Sequence, residues 1–576
     1  MKPRYKKSLY LLVAATVVTS TAVADEKESV FQWNTVINNN DVMPPLEIRN
    51  FNSYNQPSVN LHGVVVIRAR SRGGPPLGPP THGIYMRDMG QADSEIVSIL
   101  DRTTAVPAPN NLGATFVETP SFPRIDMHTD TIATRGNHQP VYQYGTEGDE
   151  TRAGTTGIYS NPYGELITGA AKLGHVVDSN GDRPFGHLRV PEEQGYIPFE
   201  VFPGAPSVTN GNIIAFKGNF SAGDSEKTGV YFRHLLPEAT GGSHLAFLIA
   251  NTDTLIPGTE TFFGSTAPPN AADRQVVFAG FDNEDAPTLG GIYLAPLHYQ
   301  PSLTTLVSIG GQIPGDSGEG SFNALGEGIA FDGRHVGFWG AWGEETRTLR
   351  LYCPQEGNKD RIAYCNQELE CRDTQEVMGD PTSVCDDTTD PMHGVSCYTE
   401  REVPINQGIF VHDIRTDKTH LVARTGEDFD DFLFWNYSGK PPCTGQGHSE
   451  EGGEDDGESV RWRSSAYLAV SPGNGAAFRS AFKARTAESF DVTYVDPVDG
   501  IYLARGPGRA RLLTVVDTTM NGRVLDPEAP ADSRILEIGI EREVLRGRWL
   551  AINAKMGYEG GEEEDDMAGI YITTLR

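Results

Sequence analysis

The side chains in this sequence with an evident chemical use are a scattered set of aromatic and basic residues. Tryptophan and tyrosine faces suit sugar rings, and histidine beside arginine can abstract a proton next to a carboxylate. We select four candidate ligand-binding residues: Arg135, His138, Trp342 and Trp435. The wider set holds Trp339, Tyr437, Trp462, His393, His448 and Arg463. For each of them packing or ordinary surface exposure is the alternative role.

No spacing joins these residues into a known catalytic motif. The chain has no Gly-x-Ser-x-Gly elbow, no His-Glu-x-x-His pair and no glycine loop that would cradle a phosphate. The sequence therefore predicts no catalytic residue, and it leaves open whether the protein is an enzyme.

Two acidic runs could hold a hard cation. Residues 450–458 and 559–566 combine many carboxylates with flanking glycines, and Ca²⁺ prefers oxygen ligands. A solvated charge run is the more common interpretation of such segments. Residues 178–182 have Asp-x-Asn-x-Asp spacing, but Arg183 stands where a calcium loop needs glycine. We expect no cofactor, with calcium as the one candidate.

The chain is strongly acidic, with a formal net charge of -30 over 576 residues. Phosphate binding needs a basic surface, so this charge argues against a nucleic-acid partner. It also argues against an anionic membrane surface. A polyanionic ligand would be repelled as well, unless the surface that receives it is locally basic.

Residues 1–24 have the three parts of a secretory signal peptide. Four basic residues precede the apolar stretch 9–18, and Ala22-Val23-Ala24 supplies a small-residue cleavage site. The apolar stretch is too short to span the ~30 Å hydrocarbon core of a bilayer. We predict a mature chain of residues 25–576 that is exported to the periplasm or the cell exterior.

All six cysteines fall in one part of the chain. An even number in an exported protein favours disulfides, and close Cys-x-x-Cys pairs that would suggest a metal site are missing. The predicted disulfide cysteines are Cys353, Cys365, Cys371, Cys385, Cys397 and Cys443. The sequence leaves their connectivity open.

A glycine followed by an aliphatic and an aromatic residue occurs seven times along the chain. The glycines are Gly83, Gly157, Gly229, Gly291, Gly408, Gly500 and Gly569. Each motif stands between β-branched runs that are separated by turn residues, which is typical of an antiparallel meander. A unit of four short strands repeated at this period predicts the blades of a β-propeller.

The two ends of the chain are complementary. The last unit stops after its third strand at residues 570–575, and residues 31–37 copy the pattern of a fourth strand. Such an arrangement closes a ring and removes an exposed strand edge. We predict an all-β fold, a single seven-bladed β-propeller closed by the N-terminal strand. Separate β-sandwiches are the alternative, but they require neither a shared motif nor complementary ends.

The long loops of the predicted propeller all follow second or fourth strands. They include residues 137–156, 426–462 and the insertion 351–407 of blade five, which disulfides would staple. Loops in these positions emerge on one face of the ring. Because long loops on a rigid scaffold carry function, we predict the binding site on this face, near the central channel.

One unit resembles the TolB-type propeller repeat. Residues 471–480, 499–503 and 511–514 follow its pattern of a Ser-Pro turn, an Ala-Phe strand, an Ile-Tyr strand and a Leu-Thr end. The other units keep the second and third elements and mostly lose the turn. The chain is similar to secreted bacterial propeller proteins with degenerate TolB-like repeats. This resemblance implies the fold over nearly all of the mature chain and no catalytic residues.

Two functions of different classes fit these observations. The first is an exported binding protein that presents its loop-rich face to a polysaccharide or an extracellular protein. The alternative is a polysaccharide-active enzyme, a lyase in particular, because propellers host lyases that need only histidine, tyrosine and arginine around an acidic sugar. The missing catalytic signature and the negative charge favour binding. We expect a monomer that neither enters a membrane nor binds nucleic acid.

Overall fold

The computed structural model describes residues 31–45, 48–73, 78–178, 180–237, 245–314, 320–354, 359–366, 384–390, 394–439, 460–473, 477–490, 492–507, 512–558, 560–561 and 566–575. The predicted signal peptide, the acidic run 450–458, residues 562–565 of the second run, and Cys371 and Cys443 lie outside the described residues. None of the described helices is long and apolar enough to cross a membrane.

The described chain begins with strand β1 (Trp33–Asn38), which belongs to the last sheet, and then forms three blades. Blade one contains β2 (Phe51–Tyr54), β3 (Ser58–Val59), β4 (Val64–Ser71), β5 (His82–Asp88) and β6 (Val97–Asp101). Blade two contains β7 (Phe116–Glu118), β8 (Arg124–Ile125) and β9 (Ile132–His138), a separate hairpin of β10 (Tyr142–Thr146) and β11 (Asp149–Ala153), then β12 (Thr156–Ser160) and β13 (Ile167–Ala171). Blade three contains β14 (Ser207–Thr209), β15 (Ile213–Ala222), β16 (Ser225–His234) and β17 (Phe247–Asn251).

Two further blades follow, and the second carries the insertion. Blade four contains β18 (Ser265–Thr266), β19 (Asn270–Ala272), β20 (Gln275–Phe281), β21 (Gly290–Pro296) and β22 (Thr304–Ser308). Blade five contains β23 (Phe322–Leu325), β24 (Ala330–Phe331), the long β25 (His335–Tyr352), β26 (Val384–Asp390), the long β27 (Gly394–Asp413) and β28 (Lys418–Arg424). The α-helix α1 (Lys359–Cys365) lies in the insertion between β25 and β26.

The last two blades complete the ring. A hairpin of β29 (Phe434–Ser438) and β30 (Arg461–Ser465) precedes blade six, which contains β31 (Leu468–Pro472), β32 (Phe478–Thr486), β35 (Val498–Ala504) and β36 (Leu512–Asp517). The short strands β33 (Ser489–Phe490) and β34 (Tyr494–Val495) pair between β32 and β35. Blade seven contains β37 (Arg534–Gly539), β38 (Leu545–Arg546), β39 (Trp549–Gly557) and β40 (Met567–Thr574), with β1 at its edge. Short 3-10 helices span Lys172–His175, Gly186–Leu188 and Gly522–Val524.

The structure confirms the predicted seven-bladed propeller and its closure. Strand β1 pairs antiparallel with β40, so that Trp33 lies opposite Thr573 and Asn38 opposite Gly569. Val36 and Ile37 are fully buried in the core between blades seven and one. The N-terminal strand therefore supplies the fourth strand of blade seven and covers an edge that would otherwise be open.

The Gly–aliphatic–aromatic motif follows from the way the blades stack. In blade two, Ile158 packs into the core shared with blade three, whereas Tyr159 packs into the core shared with blade one. Successive strand residues point to opposite faces, so one motif serves both neighbouring interfaces. The tyrosine ring folds back over Gly157, where an added Cβ would lie 2.8 Å from the Tyr159 hydroxyl. Glycine is required because any other residue would displace that ring.

The innermost strands surround the channel. Strands β3, β8, β14, β19, β24, β31 and β38 contact one another in this order. The ring closes where the Val59 amide donates a 3.0 Å hydrogen bond to the Glu543 carbonyl. Loops after second and fourth strands share one end of this channel, which we call the upper face.

Candidate functional site

The upper face carries an element that begins at the channel wall. The segment between Asp431 and Tyr467 is anchored to β32 at both ends. At its start Asp431 pairs with Arg485, and at its end the Lys483 amide donates a hydrogen bond to the Tyr467 carbonyl. The hairpin β29–β30 leaves blade six between these two points. We call this hairpin together with α1 the cap.

Contacts of the cap reach several blades. The Arg461 Nη2 atom lies 2.6 Å from Glu284 Oε1, in the loop that follows β20 of blade four. The Asn436 side chain donates a 3.2 Å hydrogen bond to the hydroxyl of Tyr467 in blade six. Burial lowers the pKa of Arg361 in α1, and the nearby charge of Glu118 in blade two opposes that shift. The cap therefore joins blades four and six on the upper face, and its helix lies within electrostatic range of blade two.

One disulfide fastens the cap to blade five. Cys353, which follows β25, is bonded to Cys365 at the end of α1, with 5.7 Å between their Cα atoms. Both cysteines are buried against Tyr364 and Tyr437 of the cap. This bridge confirms disulfide formation for two of the six cysteines, whose connectivity the sequence left open. The backbone register places Cys385 opposite Cys397.

The four predicted ligand-binding residues separate into two pairs. His138 and Trp342 are buried, with 5% and 6% of their surface exposed. Both ring nitrogens of His138 have partners, Nε2 at 2.6 Å from the Tyr159 hydroxyl and Nδ1 at 2.9 Å from the Gln139 carbonyl. Burial also lowers the pKa of His138, so the ring is neutral. Trp342 packs edge-on against Phe410 between blades four and five. The surroundings of His138 and Trp342 are those of side chains that pack inside and between the blades.

Trp435 and Arg135 lie where a ligand could approach. Trp435 is a half-buried residue of β29 in the cap, packed against the buried cluster of Leu349, Leu351 and Val403. Arg135 is half-buried in β9, where it lies opposite Ile158 of the blade-two motif. His393 and His448 fall outside the described residues.

The register of Arg135 recurs in three other blades, a feature that sequence analysis missed. Arg68, Lys217 and Lys483 each lie opposite the aliphatic residue of their own blade's motif. Ala279, Trp339 and Asn553 occupy this position in the remaining blades. The number of residues between cation and motif varies with the length of the intervening loop, so no fixed spacing reveals the pattern.

Lys483 belongs to a group with acid–base potential at blade six. Lys483 lies 3.4 Å from Asp499, which also accepts two hydrogen bonds from the guanidinium of Arg485. Burial lowers the pKa of Lys483. The Tyr494 hydroxyl donates a hydrogen bond to Asp431, and burial and the Asp431 charge raise the pKa of this phenol. Tyr494 therefore stays protonated, whereas Lys483 is easier to deprotonate than an exposed lysine.

The lower face carries one pocket of note. Its volume is about 650 Å³, and it lies between blades three and four, lined by Phe232, Phe247, Arg274 and Tyr299. In the part of the chain that the structure describes, no three histidine, cysteine or acidic side chains come together as metal ligands.

Fold and site define a seven-bladed β-propeller with a disulfide-bonded cap on its upper face. Neither a protein-family model nor a curated protein sequence matches the chain. Among solved structures, a glycosidase candidate from Bacteroides thetaiotaomicron shares 11% identity over 55% of this chain and 91% of its own, with a TM-score of 0.22. Sucrose-6-phosphate hydrolase from Lactobacillus gasseri shares 11% identity over 95% of this chain and 93% of its own, with a TM-score of 0.24. The tricorn protease shares 10% identity over 92% of this chain and 59% of its own, with a TM-score of 0.18. Similarities this distant carry no argument about function.

Proposed function

We propose that this protein is an exported binding protein that holds a polysaccharide at the mouth of its channel, against the cap. The observation that carries the proposal is the position of the cap on the upper face, where it contacts blades four and six and where the charge of Glu118 in blade two acts on Arg361. A rigid ring with a cap on one face offers a concave surface, and ligand sites are concave.

The chemistry of the cap suits sugars. Trp435 of β29 and Trp462 of β30 are half-buried side chains of the cap, the Tyr437 ring packs against Trp462, and the exposed Asn436 lies on the other face of β29. Aromatic faces pack against the apolar side of a sugar ring, and amide groups bind its hydroxyls. The signal-like sequence of residues 1–24 and the Cys353–Cys365 disulfide support export, because disulfides persist in oxidising compartments.

The test is a binding survey of the mature protein on a glycan array, followed by calorimetry with the best ligand. We expect Trp435→Ala to weaken binding by about tenfold, which corresponds to loss of one aromatic contact. The matched control is Tyr299→Ala, which removes a 62% exposed aromatic side chain from the lower-face pocket. Binding that survives Trp435→Ala and is lost in Tyr299→Ala would place the site on the opposite face. An extracellular protein ligand is the alternative partner, and a blank array would favour it.

A lyase is the second candidate, favoured by the group around Lys483 and Tyr494. In such a reaction a base removes the C5 proton of a uronate, the C4–O bond breaks, and an acid protonates the departing oxygen. Lys483, with its lowered pKa, suits the base, and the protonated Tyr494 suits the acid. Unsaturated uronate products absorb ultraviolet light, so activity is read directly. Loss of product formation in Tyr494→Phe with retained binding would support this reaction, and no product from any uronic polysaccharide would exclude it.

A further inference from the structure

Blade one carries an unusual concentration of arginines for a chain with a net charge of -30. Arg68 and Arg70 share one face of β4 about 7 Å apart, and Arg72 follows directly after the strand. Arg102 lies beside them, after β6. We call Arg68, Arg70, Arg72 and Arg102 the arginine patch.

Neutral groups hold the patch in place. Arg70 Nε donates to the Ser53 hydroxyl at 2.6 Å, and Arg102 Nη1 donates to the Pro80 carbonyl at 3.2 Å. Arg68 donates to the Thr119 carbonyl and to the Asn55 side chain, and Glu118 lies 3.9 Å from it. Glu118 partly offsets the charge of Arg68, whereas the serine and carbonyl oxygens orient Arg70 and Arg102 without cancelling their charge.

The pKa of a nearby histidine reflects the positive potential of these arginines. His82, at the start of β5, has its pKa lowered to about 4 by burial and then by the charges of Arg68, Arg70 and Arg102. Its buried Nδ1 atom has no hydrogen-bond partner in the structure. Three cations close enough to disfavour a fourth produce a basic surface despite the negative charge of the whole molecule.

The patch adjoins the proposed binding site. Glu118 lies beside Arg68 and also acts on the charge of Arg361 in the cap. Arg70 and Arg72 are exposed on the same upper face. A linear ligand lying along the mouth beside the cap would therefore reach the row of arginines on blade one.

We propose that the arginine patch binds the anionic groups of a polysaccharide, so that the ligand is an acidic glycan carrying carboxylate or sulfate groups. This inference rests on the proposed function and names its ligand class. Planar guanidinium forks bind both oxyanions in a bidentate manner, and the exposed Arg70 and Arg72, with the half-buried Arg68 and Arg102 beside them, match a chain with regularly repeated charge. The local basic surface removes the objection that a molecule of this net charge repels polyanions.

The experiment compares the wild-type protein with Arg70→Gln/Arg102→Gln by calorimetry against polygalacturonate, dextran sulfate and uncharged dextran. We expect the wild type to bind at least one acidic polymer, and the variant to bind it about tenfold or more weakly with a smaller dependence on salt. The control is Arg415→Gln/Lys418→Gln, which removes the same charge from exposed positions on the lower face. It should bind as the wild type does.

Each outcome bears on a different claim. Equal affinity of the variant and the wild type, or an equal loss in the lower-face control, would overturn the role of the patch. Comparable binding of single-stranded DNA would overturn the glycan as ligand class, because the patch would then accept any polyanion. Binding of dextran as tight as that of the acidic polymers would overturn the inference and leave the proposed function intact. If neither neutral nor acidic glycans bind, both proposals fail.

Discussion

At the residue scale, six of the seven motif glycines lie against the ring of the tyrosine or phenylalanine two positions later, and Gly291 lies against the backbone of Val307 and Ser308. Gly229 shows the constraint clearly, because an added Cβ would lie 2.7 Å from the Tyr231 hydroxyl and 2.8 Å from the Asn251 Cβ. Tyr231 is fully buried, so its ring has no room to retreat. The motif is therefore a packing unit of the ring and not a ligand-binding sequence.

We predict that Gly229→Ala lowers the free energy of unfolding by about 1–3 kcal/mol, because overpacking a tight core forces neighbours apart. Urea unfolding followed by fluorescence measures the change. Gly326→Ala is the control, since its added Cβ would meet its nearest neighbour at 3.5 Å, an ordinary contact. An equal loss in both variants would show that backbone effects, and not the Tyr231 ring, explain the glycine.

His82 gives a prediction for pH dependence. Its pKa is about 4 in the folded protein and near 6.5 in the unfolded chain, so the unfolded state takes up the proton first as the pH falls. Stability from the neutral ring is present above pH 6.5 and is lost between pH 6.5 and about 4. We expect His82→Gln to gain about 1–2 kcal/mol relative to the wild type between pH 7 and pH 4, discounted for partial exposure. The measurement is the free energy of unfolding of variant and wild type as a function of pH, and parallel curves would contradict the prediction. The control is His62→Gln, which changes an exposed histidine.

At the element scale, closure depends on one short strand. Strand β1 contributes the buried Val36 and Ile37 and the pairing with β40. We predict that deletion of residues 31–40 lowers the free energy of unfolding by about 3–6 kcal/mol. The loss comes from the burial of Val36 and Ile37 and from the backbone hydrogen bonds between β1 and β40. The exposed β40 edge should also promote self-association, visible by light scattering. A mature chain that lacks only residues 25–30 is the control, and unchanged melting of the longer deletion would refute closure by β1.

The insertion of blade five gives a prediction for the remaining cysteines. Cys385 and Cys397 occupy opposite positions on β26 and β27, and directly paired strand residues are close enough for a bridge. We expect peptide mapping without reduction to find Cys353–Cys365 and Cys385–Cys397. Each bridge should stabilise the insertion by about 2–4 kcal/mol. Recovery of Cys385 as a free thiol would contradict this pairing.

At the scale of the whole molecule, net charge and local charge differ in sign. Self-repulsion of the -30 charge opposes the compact state, so added salt should raise the melting temperature. We predict the same rise with NaCl and KCl, and no further rise with millimolar CaCl₂ over MgCl₂ at equal ionic strength. Scanning calorimetry makes the comparison. A rise specific to CaCl₂ would assign calcium to the acidic runs 450–458 and 559–566.

The sequence by itself determined the fold. Glycine, aliphatic and aromatic residues recur because every blade meets its neighbours through the same contacts, and such local repetition is visible in a linear pattern. The complementary ends were equally visible, because residues 31–37 carry the pattern that the last unit lacks. The order of the strands alone showed that the long loops share one face, because loops after second and fourth strands of an antiparallel blade emerge at the same end.

Only the tertiary structure decided which side chains meet. His138 and Trp342 looked like surface candidates, but blade packing buries both. The arginines of blade one looked unremarkable in an acidic chain, yet β4 places Arg68 and Arg70 on one face, with Arg72 directly after the strand. Loop lengths differ between blades, so register and side-chain direction are set by pairing across the ring. Contacts between residues far apart in the chain are fixed only when that ring closes.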